Sequence, residues 1–321
     1  MAERKIVVWI PGIPEKQQKR IEKEAARQGF RAFFPENREE AGREAADAEV
    51  LFTQSSRLCR EAPEVRWVCT PSAGVDHFLK NGIPEASALL SNSSGAYGVT
   101  IAEHVVMMTL EMMRRKDEYN QIVRDRQWIR NLHIDSIHGS RIALLGTGDI
   151  GRECARRLRG FRPACMMGVS RRGEDPEGLF DRTVAVDRLE EILPETDLLI
   201  CSLPATAETE GLLTAERLAM LPETARIVNV GRGNVLDQKA LERMLRGGTL
   251  AGAALDVFTE DPIPAGDSLW ECPRLLITPH IAGNMTLDYT LEKIVTLFLE
   301  DLENYAAGRP LRRAVDREKA Y

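Results

Sequence analysis

No stretch of the sequence approaches the roughly 18 unbroken apolar residues that a membrane-spanning helix needs; Val105–Leu110 is among its longest apolar runs. The start, Met1-Ala-Glu-Arg-Lys leading into Ile6–Ile10, carries no signal-peptide cleavage pattern. The six cysteines, at positions 59, 69, 154, 165, 201 and 272, form no CxxC pair, which predicts reduced thiols and a cytoplasmic chain. His77, His133 and His138 have no metal-ligand spacing and no suitable cysteine nearby, so no metal site is expected. A basic excess is also missing: the net charge is −6, which argues against nucleic acid as a partner. Internal repeats and low-complexity segments are absent. What remains is 321 residues, 43% hydrophobic and 29% charged, enough for two globular domains with packed cores.

Short apolar runs alternate with helical stretches. Lys5–Ile10 reads as a buried strand stopped by Pro11-Gly12, and Glu15–Gln28 as a helix ending at Gly29. Further runs at Glu49–Thr53, Arg66–Thr70 and Ala88–Ser91 continue the series. A second series comprises Arg141–Leu145, Cys165–Val169, Leu198–Cys201, Arg226–Val230, Ala251–Leu255 and Leu275–Thr278. This rhythm predicts an α/β fold with parallel sheets covered on both faces. Asp237–Arg246 reads as a helix with Asp237 as N-cap, and Thr286–Tyr305 as a closing helix before Gly308-Arg-Pro310. Ile101–Arg114 is apolar nearly all round, which predicts burial between layers or at an interface, with its methionines filling core. Tyr119–Ile137, which follows, shows little strand or helix logic yet carries Trp128, Ile129 and Leu132 among charges. Arg156, Arg157, Arg159 and Arg162 read as a solvated helix end rather than a partner site.

Gly146-Thr-Gly148-Asp149-Ile150-Gly151 follows a predicted strand and opens a predicted helix. GxGxxG alone is weak, but in that context it is a dinucleotide fingerprint. Gly146 makes the tight turn, Gly148 lets backbone approach a pyrophosphate, Gly151 permits close helix packing, and the helix N-terminus attracts phosphate. An NAD site usually places Asp or Glu at the end of the next strand. Here that strand ends Ser170-Arg171-Arg172-Gly173, with no carboxylate before Glu174. Two guanidiniums beside a small hydroxyl suit a 2′-phosphate, so NADP(H) is the expected cofactor and NAD(H) the alternative.

Three segments end successive predicted strands: Val228-Asn-Val230-Gly231-Arg232-Gly233, Leu255-Asp256-Val-Phe258-Thr-Glu260-Asp261-Pro262, and Thr278-Pro279-His280-Ile-Ala282-Gly283. Strand C-termini of a doubly wound sheet face the ligand crevice. A carboxylate-binding cation, a titratable imidazole and an acid to orient it are the parts that reduction of a 2-keto acid needs. With Pro71-Ser-Ala73-Gly74-Val-Asp76, Asn92 and Thr100-Ile-Ala-Glu103-His104, the chain resembles, over nearly its whole length, the D-isomer-specific 2-hydroxyacid dehydrogenases. That family includes glyoxylate/hydroxypyruvate reductases and phosphoglycerate dehydrogenases.

The resemblance implies two doubly wound domains. A flavodoxin-like substrate domain would comprise 1–98 and 285–321, and a Rossmann-like cofactor domain 99–284, with the Ile101–Arg114 and Thr286–Tyr305 helices crossing between lobes. It implies that Arg232 grips the substrate carboxylate and polarises the ketone, and that His280 exchanges the proton. Backbone around Ala73-Gly74 would hold the carboxylate too. Cofactor contacts would come from the glycine loop, Leu203, Val230, Gly231, Arg232, Asp256, His280, Ala282 and Gly283. One departure stands out. The family usually has Glu before the proline of the acidic segment, whereas this chain has Asp261 preceded by Glu260. A carboxylate there favours the imidazolium, and either Asp261, favoured by motif position, or Glu260 could supply it. His104 belongs to a family motif but sits within a helix, where a structural role is expected. The expected product is a D-2-hydroxy acid and the expected assembly a homodimer through the apolar helix and arm. A phosphoglycerate dehydrogenase, for which no long extension follows the closing helix, is the alternative enzyme. A dinucleotide-sensing corepressor is the alternative outside catalysis, without the extended basic tail that partner assembly would suggest.

Overall fold

The computed structural model describes residues 4–85 and 87–318. These divide into two compact units, one within Met1–Ala96 and Met285–Tyr321, the other Tyr97–Asn284. The first opens with β1 (Arg4–Trp9), α1 (Glu15–Arg27), β2 (Phe30–Phe33), α2 (Arg38–Ala45), β3 (Val50–Thr53), α3 (Ser56–Arg60), β4 (Trp67–Cys69), α4 (Asp76–Lys80) and β5 (Leu89–Ser91). The second starts with α5 (Gly98–Met113), α6 (Lys116–Arg124), β6 (Arg141–Leu145), α7 (Asp149–Arg159), β7 (Cys165–Ser170) and β8 (Arg182–Ala185). It continues with β9 (Leu198–Cys201), α8 (Ala215–Ala219), β10 (Arg226–Asn229), α9 (Gln238–Gly247), β11 (Gly252–Leu255) and β12 (Leu275–Ile277), and α10 (Asp288–Ala306) then returns to the first unit.

The first unit is a parallel sheet of order β2-β1-β3-β4-β5. Its central strands β3 and β4 are buried at every position, as expected where helices cover both faces. Helix α10 supplies Ile294, Phe298 and Leu302 at helical spacing to the buried side. Phe298 stacks on Phe52 at 4.2 Å between ring centroids and on Trp67 at 5.4 Å. The chain's return is fastened further by the Tyr305 hydroxyl, which donates to Glu49 at 3.0 Å, and by a backbone bond from Val315 to Leu90.

The second unit is a seven-stranded sheet of order β12-β11-β10-β9-β6-β7-β8 with every pairing parallel. The order reverses between β6 and β9, the switch point where doubly wound sheets bind ligands. Asp237 caps α9, accepting from the Ala240 amide at 2.8 Å. Arg156, Arg157 and Arg159 of α7 are ion-paired to Glu153, Glu177, Glu103 and Asp181.

Two strands escape sequence reading. Both β2 and β8 are four residues long, lie at sheet edges and mix exposed with buried positions, so neither shows an apolar run. The segment after α5 also differs from expectation: Lys116–Arg124 is helical. A left-handed residue, Arg115 at φ 50°, separates it from α5, and the new helix buries none of its residues. Helix α5 buries Ile101, Ala102, Val105, Met108 and Met113 but leaves Met107 exposed. Among the described residues no helix is long and apolar enough to cross a membrane.

Candidate active site

The glycine loop runs from the end of β6 into α7, at the switch point. Gly146 has φ +98°, and the Ser202 hydroxyl donates to the Leu145 and Gly146 carbonyls at 3.2 and 3.4 Å. A Cβ on Gly151 would lie 1.9 Å from the Gly146 carbonyl oxygen, so only glycine lets the helix start here. A Cβ on Gly148 would meet nothing within 4 Å. The loop thus presents open space above backbone at a helix N-terminus, which fits a dinucleotide's pyrophosphate. The Asp149 carboxylate, which would repel phosphate, instead accepts from the Gly98 amide at 2.8 Å.

Three neighbouring strands, β10, β11 and β12, deliver the remaining groups at the same sheet end, in register Asn229–Leu255–Ile277. After β10, the Asn229 side chain donates to the Arg232 carbonyl at 3.0 Å and accepts from the Gly231 amide at 3.0 Å. Gly231 and Gly233 bracket Arg232 because neighbouring backbone leaves no room: added Cβ atoms would lie 2.5 Å from the Leu203 oxygen and 1.9 Å from the Phe258 carbonyl carbon. Arg232 is therefore held on both sides by close backbone packing. Its Nη1 donates to the Gly231 carbonyl at 2.8 Å.

After β11, Asp256 is buried, and both carboxylate oxygens are engaged by the segment after β12. Its Oδ1 accepts from the Thr278 hydroxyl at 2.6 Å and the Ile281 amide at 2.9 Å, and its Oδ2 from the Ala282 amide at 3.0 Å. His280 lies between those anchor points with φ 53°, an uncommon conformation for a residue with a Cβ. Its Nδ1 is 2.6 Å from Asp261 Oδ2, which leaves Nε2 as the ring nitrogen outside that bond. Asp261 therefore pairs with His280, and its shorter side chain reaches. From α5, His104 Nε2 lies 3.1 Å from the Thr278 hydroxyl. Burial pushes the His104 imidazole below its usual range, against the opposing charges of Asp256 and Glu111.

The family model for the D-isomer specific 2-hydroxyacid dehydrogenase NAD-binding domain matches residues 106–282, within the unit that holds these groups. The chain belongs to this family. It is an oxidoreductase of the family's NAD(P)-dependent kind. It is 32% identical over 263 residues to a glyoxylate reductase of Thermofilum pendens, covering 78% of this chain and 76% of that one. It is 30% identical over 288 residues to the D-3-phosphoglycerate dehydrogenase of Bacillus subtilis, covering 84% of this chain and 53% of the relative. Among solved structures, a D-isomer specific 2-hydroxyacid dehydrogenase family protein of Aeromonas salmonicida matches with TM-score 0.87 at 29% identity, covering 98% and 100% of the two chains. A second, the D-isomer specific 2-hydroxyacid dehydrogenase of Xanthobacter autotrophicus in complex with NADPH and MES, matches with TM-score 0.78 at 26% identity over 100% of both chains.

In this oxidoreductase the turn after β7 is also shaped. Gly173 has φ +67°, its carbonyl accepts from the Thr183 hydroxyl at 2.6 Å, and the Ser170 hydroxyl accepts from the Glu174 amide at 3.2 Å. Arg171 and Arg172 stand exposed on it. In the first unit, the Ala73 carbonyl accepts from the buried Asn92 side chain at 2.8 Å, which fixes the Ala73-Gly74 turn. Burial pushes the thiols of Cys59, Cys69, Cys154 and Cys201 up to about 12, so none of these four is a nucleophile at neutral pH. Among the described residues no group of three or more His, Cys, Asp or Glu could hold a metal ion. Sequence reading left Asn229 and Thr278 without roles although both lie in the quoted motifs; their contribution is hydrogen bonding to neighbouring loops, which sequence spacing does not display.

Proposed function

We propose that the enzyme reduces a small 2-keto acid of the glyoxylate or hydroxypyruvate kind to the D-2-hydroxy acid, with NADPH preferred and NADH the alternative. The observation that carries this reading is the His280–Asp261 hydrogen bond at the sheet end where Arg232 is also fixed. A bound nicotinamide supplies hydride to the keto carbon. Arg232 binds the substrate carboxylate and polarises the ketone, and His280 gives a proton from Nε2 to the ketone oxygen, taking it back in the reverse direction. Asp261 keeps the ring oriented. Gly146, Gly148 and Gly151 with the α7 N-terminus would hold the pyrophosphate, and Ser170, Arg171 and Arg172 the 2′-phosphate. The Ala73-Gly74 turn is assigned to the carboxylate on the resemblance alone. The small-acid reading draws support from the glyoxylate reductase among its relatives, and the NADPH reading from the similar structure solved with that cofactor.

The deciding assay measures NADPH and NADH oxidation with glyoxylate, hydroxypyruvate, pyruvate, phenylpyruvate and phosphohydroxypyruvate. A kcat/KM highest for glyoxylate or hydroxypyruvate supports the proposal; preference for phosphohydroxypyruvate supports the phosphoglycerate reading, which the Bacillus subtilis relative favours. No turnover with any of them overturns both. We further propose a homodimer, because the second unit exposes Trp128, Ile129, Ile134, Val123 and Met107, and Trp128 is 89% exposed.

A further inference from the structure

His104 stands one hydrogen bond away from the segment that carries His280. The Thr278 hydroxyl has one proton, and at 2.6 Å from a carboxylate oxygen it gives that proton to Asp256. Its lone pair therefore accepts from His104, so the imidazole carries its proton on Nε2. The direct distance from His104 Nε2 to Asp256 Oδ1 is 3.7 Å, too long for a hydrogen bond, so His104 acts through Thr278.

The chain of bonds runs from His104 to Thr278 to Asp256, whose oxygens then fasten the amides of Ile281 and Ala282. These anchors flank His280 on both sides in sequence. They surround a left-handed residue with a Cβ, a conformation that persists only where neighbouring contacts over-determine it. Were Asp256 to lose the Thr278 hydroxyl, the backbone bond from the Thr278 amide to the Leu255 carbonyl would remain before His280, but the carboxylate would tie down the segment only through the two amides after it. His280 would then gain freedom to leave its aim and its bond with Asp261.

We propose that His104 is a positioning residue for the reaction: through Thr278 it sets the donor pattern on Asp256 and thereby holds the His280 segment in its working conformation. This rests on the reading of His280 as the proton-exchanging group.

The test compares the parent with His104→Leu, Thr278→Val, the double variant and His104→Gln, whose amide nitrogen can replace the Nε2 donor. Four quantities are read: kcat, keto-acid KM, NADPH Kd, and amide hydrogen exchange at Ile281 and Ala282 in the cofactor-free protein. His104→Leu and Thr278→Val should each lower kcat about tenfold while KM and Kd stay within about twofold. Both should speed exchange at the two amides. The double variant should be no worse than either single change, because both break one chain of bonds. His104→Gln should recover most of kcat and the slow exchange. Parental kcat and parental exchange in His104→Leu would overturn the proposal, as would equal impairment of His104→Gln. Unchanged exchange alone also overturns it. If the parent reduces no keto acid, the activity reading fails by itself, and the exchange measurement still decides whether His104 holds the segment.

Discussion

His280 Nδ1 and Asp261 Oδ2 lie 2.6 Å apart, although this carboxylate arm is a methylene shorter than the glutamate the family usually has there. Glu260, the neighbouring candidate, is exposed. His280→Ala should lower kcat by about a hundred- to ten-thousandfold, the usual worth of a positioned general acid. Asp261→Asn should lower kcat with a smaller effect on KM, and Glu260→Gln should behave as the parent. Steady-state kinetics at pH 7 check all three; near-normal turnover in His280→Ala would remove the proton donor from the proposal.

Arg171 and Arg172 stand on a turn that Gly173 and Thr183 pin to β8. Arg171→Ala and Arg172→Ala should each weaken NADPH more than NADH, by about tenfold for a lost charge-assisted contact. Titrating both cofactors against each variant measures the ratio. Equal or better kcat/KM with NADH in the parent would sink the preference.

The site glycines should separate into two behaviours. Gly233→Ala places a Cβ 1.9 Å from the Phe258 carbonyl carbon and should destabilise the second unit by about 1–3 kcal/mol or more. Gly148→Ala meets nothing within 4 Å at φ −74°, so stability should stay within about 0.5 kcal/mol. NADPH affinity should nevertheless fall in the second variant, since the added methyl occupies the open backbone surface. Denaturant unfolding and cofactor titration on the same samples read both effects.

Stability of the first unit should carry an acid limb from Glu49. The Arg4 guanidinium, bonded to it at 2.8 Å, holds its carboxyl below the usual carboxylate range. A depressed folded-state pKa means the contribution is present above the unfolded value of about 4.3 and is lost as pH falls through the folded one. The stability gap between parent and Glu49→Gln should therefore close as pH drops from 7 toward 3. A gap independent of pH would exclude this linkage. Burial pushes the Tyr305 hydroxyl up to about 12, so its bond to Glu49 persists through neutral and mildly alkaline buffers.

Light scattering at micromolar concentration should give about twice the 35.9 kDa chain mass. Trp128→Ser with Ile129→Ser should shift the mass toward one chain if the exposed arm forms the contact. A parent that runs as a clean monomer refutes the dimer.

Sequence legibility follows position in the sheets. Strands β3 and β9, central and buried throughout, show as apolar runs of three or four residues, whereas edge strands β2 and β8 do not. Helix α6 carries Tyr119, Ile122 and Val123 at helical spacing, but over nine residues among charged neighbours this short stripe is a weak signal, and the fold buries none of it. At the site, residue types and order were readable from the motifs around Arg232, Asp261 and His280. The choice of Asp261 over Glu260 was not, because it depends on backbone direction after Phe258. Asp256 was expected from the resemblance to touch cofactor; that both its oxygens tie down the His280 segment emerges only when distant loops are seen together.

The chain leaves the first unit after Ala96 and re-enters it at Met285, and Phe298, which stacks on Phe52 and Trp67, belongs to the late segment. A ribosome therefore makes the whole seven-stranded sheet before the residue that seals the aromatic centre of the five-stranded one. Vectorial synthesis ordinarily lets the leading domain fold first; here the inserted unit is complete in the nascent chain before the one that began. A nascent chain stalled before Met285 would carry Phe52 and Trp67 without their cover, a surface that chaperones recognise. The cover of that aromatic centre thus waits on α10, made after the whole second unit.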